Sequence, residues 1–139
     1  KSAADFLPSF TLSVWAYTDF TDPRWHFGHQ TITLRQNPQR GPTKLGISNT
    51  RGAVGYLNHG TLFIKRFGYD PTKPYPDNGC NFETFTNEDM LEVESLGPLV
   101  RLAPGAAVEH TEHWELHAGL GDVKGEPEID AKILPLLLK

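Results

Sequence analysis

The sequence has little cysteine and no long hydrophobic run, and each absence excludes a class of protein. Cys80 is the only cysteine, so no intrachain disulfide can form, and cytoplasm, periplasm and exterior all stay compatible with the chain. No window reaches the roughly 18 apolar residues that a membrane-spanning helix needs. The first residues also lack the basic and apolar regions of a secretory signal. The sequence therefore predicts a soluble protein in an unassigned compartment.

The sequence also has no large excess of either sign of charge. Thirteen Lys and Arg residues against seventeen Asp and Glu residues give a formal net charge of -4, without a basic patch for nucleic acid or an anionic membrane. A glycine-rich phosphate loop, a Gly-x-Ser-x-Gly motif and paired Cys-x-x-Cys motifs are all missing from the sequence. We therefore expect no nucleic-acid or membrane partner, and nothing supports a nucleotide-binding protein, an α/β-hydrolase or a zinc ribbon.

Alternating apolar and polar residues predict strands along most of the chain. The predicted strands cover residues 10–17, 30–35, 44–48, 53–57, 61–67, 80–86, 91–95, 99–102 and 107–117. Segments rich in proline and glycine separate them, and residues 68–79 form a long loop of the kind that often carries function. With almost no predicted helix, the sequence indicates an all-β, mostly antiparallel sandwich or barrel.

A single β-sandwich domain, residues 1–125, accounts for the predicted strands, because 139 residues fit one compact core. The tail, residues 126–139, is apolar near its end. We expect it to form a short helix that starts at Pro127 and is ended or kinked by Pro135, and to dock on the body or on a partner subunit. The chain starts without methionine, as expected of a processed protein or of part of a longer one.

Glu83 is the strongest candidate for a catalytic residue. Alternation along its predicted strand places Glu83 beside Phe85 and Asn81. An apolar wall raises the pKa of a carboxyl group towards the range useful for general acid or base catalysis. The alternative is that Glu83 faces solvent on an edge strand. Glu92 and Glu94 are reserve candidates on the next strand, where a solvated sheet face is the simpler explanation.

Basic and aromatic residues in or near the predicted turns are candidates for binding a hydroxyl-rich ligand, through hydrogen bonds and ring stacking. The candidate substrate-binding residues are Arg24, Lys65, Tyr75, Asp77 and Phe85. For any one of them, the alternative is a solvated polar group on a buried stem. Trp15 and Trp114 lie in predicted strands and are expected in the core.

The histidines of the segment His110–His117 suggest the metal site of a small cupin-like enzyme. His113, Glu115 and His117 share one face of a strand, but the outer two lie ~13 Å apart at the usual rise. A metal site there needs a ligand from elsewhere, such as His59. Surface or packed histidines are the alternative. We expect no cofactor, with a divalent metal bound by His113, Glu115 and His59 as the alternative.

Five segments between Leu12 and Leu116 read VWAYTDFTDPRW, KLGISN, GTLFIKRF, YPDNGCNFETFTNEDMLEVESLGPL and LAPGAAVEHTEHWEL. Together they resemble an uncharacterised bacterial family, a domain of unknown function, whose fold is similar to the galactose mutarotase (aldose 1-epimerase) supersandwich. The likeness is to the C-terminal half of that fold. It implies an aldose-epimerase-like isomerase.

The resemblance also implies particular roles. It makes Glu83 the general base, because Pro104 and Gly105 follow it at a spacing similar to that in mutarotases. Since mutarotases are about twice as long, it further implies that a second subunit of a homodimer completes the cleft. A non-catalytic carbohydrate-binding module that uses the same cleft is the alternative to an enzyme.

Overall fold

The computed structural model describes the backbone of residues 1–139 and all side chains except those of Ala4 and Asp5. The strands are β1 (Leu12–Val14), β2 (Trp25–Phe27), β3 (Ile32–Leu34), β4 (Thr43–Ile47), β5 (Ala53–Asn58), β6 (Thr61–Phe67), β7 (Phe82–Thr86), β8 (Leu91–Ser95) and β9 (Glu112–His117). The helical segments are a 3-10 turn (Ala3–Phe6), α1 (Pro76–Gly79), α2 (Gly125–Lys132) and α3 (Leu134–Leu137).

The strands form three antiparallel sheets. A four-stranded sheet has the order β1-β4-β7-β8, a three-stranded sheet has the order β5-β6-β9, and β2 and β3 form a hairpin. The two larger sheets meet where the rings of Phe67 and Phe82 stack, with 6.0 Å between their centroids. This arrangement confirms the predicted all-β, mostly antiparallel fold with a short C-terminal helix.

Residues 99–111 form an exposed arm, which corrects the sequence prediction. Strands were expected over 99–102 and from residue 107, but only Glu112–His117 is a strand and every residue of the arm is exposed. Alternation alone does not make a strand, because a strand also needs a neighbour for its backbone hydrogen bonds. Conversely, Trp25–Phe27 was expected in a loop and pairs with Ile32–Leu34 as a hairpin.

The tail packs on the three-stranded sheet. Helix α2 begins two residues before the predicted start, and Pro135 lies in the first turn of α3, where the helix direction changes as expected. Ile133 joins Leu62 and Ile64 in a buried cluster. Half-buried residues around this cluster are Leu57, Leu120, Val123, Ile129, Leu136 and Leu137. Within the described chain, no helix has the length and hydropathy needed to span a bilayer.

Arg66 fastens the end of the tail to the sheet. Its guanidinium donates hydrogen bonds to the carbonyl oxygens of Leu136 at 2.8 Å and Leu137 at 3.0 Å, and it forms an ion pair with Glu115 of β9. These carbonyls belong to the last turn of α3, where helix geometry leaves them without intrahelical donors and where a cation is favoured. One side chain therefore links β6, β9 and the tail.

Candidate functional site

Glu83 lies in the middle of the four-stranded sheet. Its strand β7 runs between β4 and β8, so Glu83 stands between Gly46 and Glu94 in the register. Only 3% of Glu83 is exposed, and this excludes the alternative of an outward-facing carboxylate on an edge strand. A Cβ atom at position 46 would lie 2.6 Å from Cys80 Sγ and 3.3 Å from Glu83 Cγ. The glycine therefore makes room for the side chain above it.

Lys44 holds one oxygen of Glu83. Its Nζ lies 2.7 Å from Glu83 Oε2 and 3.1 Å from Glu94 Oε1, and it stands 4.9 Å from the ring centroid of Trp15. Burial lowers the pKa of Lys44, but the hydrogen bonds to Glu83 and Glu94 outweigh it, so the pKa is raised overall. Lys44 is therefore a cation that two carboxylates share, under an aromatic ring.

The other oxygen of Glu83 is in a different situation. Oε1 is buried and has no hydrogen-bond partner among the described residues. Burial raises the pKa of Glu83, Lys44 lowers it, the neighbouring side chain of Asp77 raises it again, and the balance is upward. Because two carboxylates repel each other, their contact is stable when they share a proton. The nearby carboxyl group of Asp77 therefore favours the protonated form of Glu83.

A turn of unusual backbone conformation brings Asp77 to Glu83. Asp77 and Asn78 in α1 have left-handed dihedrals, with φ values of 48° and 65°. The Asp77 carbonyl oxygen accepts hydrogen bonds from Ser13 Oγ at 2.5 Å and from Cys80 Sγ at 3.1 Å. These bonds hold a conformation that non-glycine residues rarely adopt, and such strain is concentrated at functional sites.

The same turn borders an open cavity of about 300 Å³, within the size range of small-ligand pockets. Its lining residues are Ser13, Val14, Trp15, Ala16, Asp77 and Asn78. We use the name Glu83 site for Trp15, Lys44, Asp77, Glu83 and Glu94. The site combines an aromatic wall, one cation and the neighbouring carboxyl groups of Asp77 and Glu83, of which Asp77 lines the cavity.

Neighbouring groups extend the charged surface of this site. Burial and contact with Glu94 raise the pKa of Glu92. Burial also raises the pKa of Tyr17, and the charges of Glu94, Glu83 and Glu92 raise it further against the opposing charge of Lys44. Phe85 lies on the same face as Glu83, directly between Lys44 and Glu92 in the register.

Arg24 lies apart from the Glu83 site. It is buried, and its guanidinium donates to Asp22 at 2.7 Å, to the Gly41 carbonyl at 2.7 Å and to the Arg40 carbonyl at 3.4 Å. Hydrogen bonds from Arg24 hold the pKa of Asp22 below its usual range against the effect of burial. Arg24 therefore ties the loop before β2 to the loop before β4, beside a second open hollow of about 440 Å³.

Lys65 forms a second lysine–glutamate cluster on the three-stranded sheet. Its Nζ lies 3.1 Å from Glu112 Oε1 and donates to the Val93 carbonyl at 2.8 Å, which links this sheet to β8. Glu112 also accepts hydrogen bonds from Ser95 Oγ and from Trp114 Nε1. Burial raises the pKa of Glu112, but these donors and Lys65 lower it to about 2. This pair is a structural connection between the sheets.

The remaining candidates are distributed over other parts of the fold. Tyr75 is buried in the long loop, where its hydroxyl accepts the Asp70 backbone N–H at 3.0 Å and its ring lies 5.1 Å from that of Tyr69. Trp114 is 68% exposed on β9, so its expected place in the core is wrong. The sheet face that carries Trp114 has no covering layer at that position in the described structure.

The histidine segment does not gather into a site. Glu115 is engaged by Arg66 and by His117 Nε2 at 3.1 Å, while His59 lies in the two-residue turn between β5 and β6, with φ of 47°. Among the residues that the structure describes, no group of three or more His, Cys, Asp or Glu side chains could hold a metal ion.

The sequence patterns did not identify two members of the Glu83 site. Lys44 is not among the predicted site residues, and Trp15 was expected in the core. A usable signal was Gly46: glycine inside a strand marks a close approach, and alternation puts Lys44 on the same face. Comparison with known proteins gave no match to a family model, a curated protein or a solved structure.

Proposed function

We propose that this chain is a carbohydrate-active protein, an aldose-epimerase-like isomerase whose acid–base group is the Asp77–Glu83 pair. The observation that carries the proposal is the state of Glu83: 3% exposed, one oxygen on Lys44, and the other without a partner in the described structure. Burial and Asp77 raise the pKa of this carboxyl group, which is the direction that general acid–base work by a carboxyl group needs. The resemblance of Leu12–Leu116 to a mutarotase-like family is further support.

The proposed reaction interconverts the two anomers of an aldose. The ionised member of the pair takes the proton of the anomeric hydroxyl while the ring C–O bond breaks, and the protonated member supplies a proton to the ring oxygen. Ring closure on the opposite face reverses both transfers, so the pair ends with the proton that it started with. Asp77 borders the cavity and contacts the sugar directly, movement of the cover brings Glu83 within reach of it, and Trp15 receives its apolar face.

A second candidate function is a non-catalytic carbohydrate-binding module. The burial of Glu83 favours it, because a carboxyl group that is 3% exposed cannot touch a ligand without movement of its cover. In this alternative, Trp15 and Asp77 bind the sugar in the same cavity, and the pair of carboxyl groups only shapes the turn.

The test is a panel of aldoses studied with wild type, Glu83→Gln, Asp77→Asn and the control Glu88→Gln, which changes an exposed residue of the β7–β8 turn. Anomer exchange is measured by NMR exchange spectroscopy, and binding by saturation-transfer NMR. We expect wild type and Glu88→Gln to accelerate exchange equally. Loss of one acid–base group should slow exchange by about 100-fold or more in each site variant.

The outcomes separate the two candidates. Slowed exchange with retained binding in Glu83→Gln supports the enzyme. Binding by wild type without any acceleration of exchange removes the enzyme and leaves the binding module. If no aldose binds at millimolar concentration, or if all four proteins accelerate exchange equally, the Glu83 site has no role with carbohydrate.

A further inference from the structure

Strand β9 is an open edge of the three-stranded sheet. It pairs with β6 on one side, and on its other side the described chain offers it no backbone hydrogen bond. The strand carries two highly exposed apolar residues, Trp114 at 68% and Leu116 at 74%. Soluble proteins usually protect such an edge with charged residues, above all lysine, with proline or with a bulge. Glu112–His117 contains no lysine, proline or bulge, and its two glutamates are held in ion pairs with Lys65 and Arg66. An edge of this kind is ready to pair with another strand.

We propose that β9 pairs antiparallel with β9 of a second copy across a two-fold axis, and that this edge is a homodimer interface. This inference is independent of the proposed function. A two-fold axis perpendicular to the sheet keeps equivalent faces on the same side, so it allows registers centred on a single residue. The centres that fall within the strand's middle are Trp114 and Glu115.

Charge selects between these two registers. Centring on Trp114 sets His113 opposite Glu115 of the partner subunit, twice over by symmetry, and joins the two tryptophans as a cross-strand aromatic pair. Centring on Glu115 instead sets that carboxylate against its own copy, and like charges directly opposite are destabilising. His113 is exposed and its side chain forms no hydrogen bond or ion pair in the described part of the chain, so it is available for the partner's Glu115.

The Trp114-centred register also covers apolar surface. Tyr56, Phe63 and Leu116 form one row across the sheet face that carries Trp114. An antiparallel partner brings the beginning of its own β9, and the exposed arm that precedes it, alongside Leu116. The arm has exposed apolar residues of its own, namely Leu99, Val100, Leu102 and Val108. Apolar patches of this extent on a soluble protein mark interaction sites.

Cysteine cross-linking tests both the dimer and the register. In the proposed register, the Cα atoms of the two Trp114 residues lie about 4.5–5.5 Å apart, which is within the range of a disulfide. Trp114→Cys should therefore form a linked dimer under mild oxidation. Leu116→Cys should form at least about tenfold less linked dimer, because the two copies of residue 116 lie on opposite sides of the axis, beyond the reach of a disulfide. Cys80 is fully buried and wild type provides the baseline.

Sedimentation velocity tests the dimer independently of Trp114→Cys, in case that variant folds poorly. We expect wild type to sediment as a dimer, and Leu116→Lys to weaken the dimer by at least about tenfold, as inserted edge lysines do. Met90→Lys is the matched control, because it adds the same charge at an exposed apolar residue in the β7–β8 turn. A wild-type monomer at about 100 μM would overturn the proposal. Equal cross-linking at positions 114 and 116 would also overturn it. Efficient cross-linking of Glu115→Cys would show that the register is centred on Glu115 instead of Trp114.

Discussion

Two lysine–glutamate pairs, one in each large sheet, have carboxyl groups with opposite pKa shifts. Lys44 and Glu83 lie 2.7 Å apart in the four-stranded sheet, and Lys65 and Glu112 lie 3.1 Å apart in the three-stranded sheet. Each lysine also stands over a tryptophan ring. The pKa of Glu83 is nevertheless raised, and that of Glu112 is lowered to about 2.

The difference comes from the other neighbours of each carboxyl group. Glu112 is the less buried of the two and receives donors from Ser95 and Trp114 as well as from Lys65, so its charge is fully compensated. Glu83 is deeper, has an oxygen without a partner in the described structure, and faces a second carboxylate. A satisfied pair connects structure, whereas a pair whose buried carboxyl group is unsatisfied and lies beside a strained turn is a candidate site.

The largest expected effect is the loss of stability when the pair of Lys65 and Glu112 is broken. Glu112→Gln should lower the free energy of unfolding by about 3 kcal/mol, because it leaves the buried ammonium of Lys65 without a counter-charge and turns an amide towards the Trp114 N–H. Urea denaturation at pH 7 measures the loss. Glu88→Gln, which removes an exposed carboxylate, should stay within about 0.5 kcal/mol of wild type. An equally small change in Glu112→Gln would contradict the structural role of this pair.

Gly46→Ala should destabilise the protein by about 2 kcal/mol, since overpacking a closed space has costs of this order. The added methyl group would stand 2.6 Å from Cys80 Sγ and 3.3 Å from the Trp15 ring. Gly68→Ala is the matched control, because a Cβ atom at that position meets nothing within 4 Å. Thermal unfolding and tryptophan fluorescence measure the two variants. If they behave alike, the cover of the Glu83 site is looser than described.

The smallest effect is expected at Glu83 itself. Glu83→Gln keeps the shape of the side chain and removes the repulsion by Asp77, while Lys44 retains Glu94. We therefore expect a change of less than about 1 kcal/mol at pH 7, although the same variant should lose acid–base activity. A loss of several kcal/mol in urea would show instead that the ion pair with Lys44 stabilises the fold.

The pH dependence of stability in Glu83→Gln and Glu112→Gln sharpens the contrast between the two pairs. The folded state favours protonated Glu83, so its contribution is present below the ordinary pKa of 4.5 and is lost as pH rises through the raised folded pKa. Glu112 has the opposite sign: its contribution is present above 4.5 and is lost as pH falls towards about 2. Glu83→Gln should thus gain stability relative to wild type with rising pH, and the deficit of Glu112→Gln should vanish in acid.

Local sequence patterns were sufficient for elements whose environment is regular. The strands Thr61–Phe67 and Leu91–Ser95 have the predicted bounds, because each has a paired neighbour along the chain to satisfy its backbone. The inward orientation of Glu83 was one of the two alternatives that its neighbours in the sequence left open. The nearness of Asp77 to Glu83 had no such signal beyond their common segment.

The rest of the site depends on topology, which local patterns do not contain. Lys44 reaches Glu83 because β4 pairs with β7, which is not its successor in the sequence. Trp114 alternates as a core residue does, but the layer that would bury it is missing from the described chain. The prediction of strands in the exposed arm was wrong for the same reason. The arm alternates apolar and polar residues, but no strand lies beside it within the described fold.

Arg66 couples two events that occur in different places. Its guanidinium binds the last carbonyls of the tail and also positions Glu115, the residue that the proposed dimer sets against the partner's His113. Detachment of the tail would release Arg66 and change the position of that carboxylate. By thermodynamic reciprocity, association of two copies then tightens the hold on the tail to the same extent that a docked tail favours association. Protection of the tail from proteolysis should accordingly increase with protein concentration.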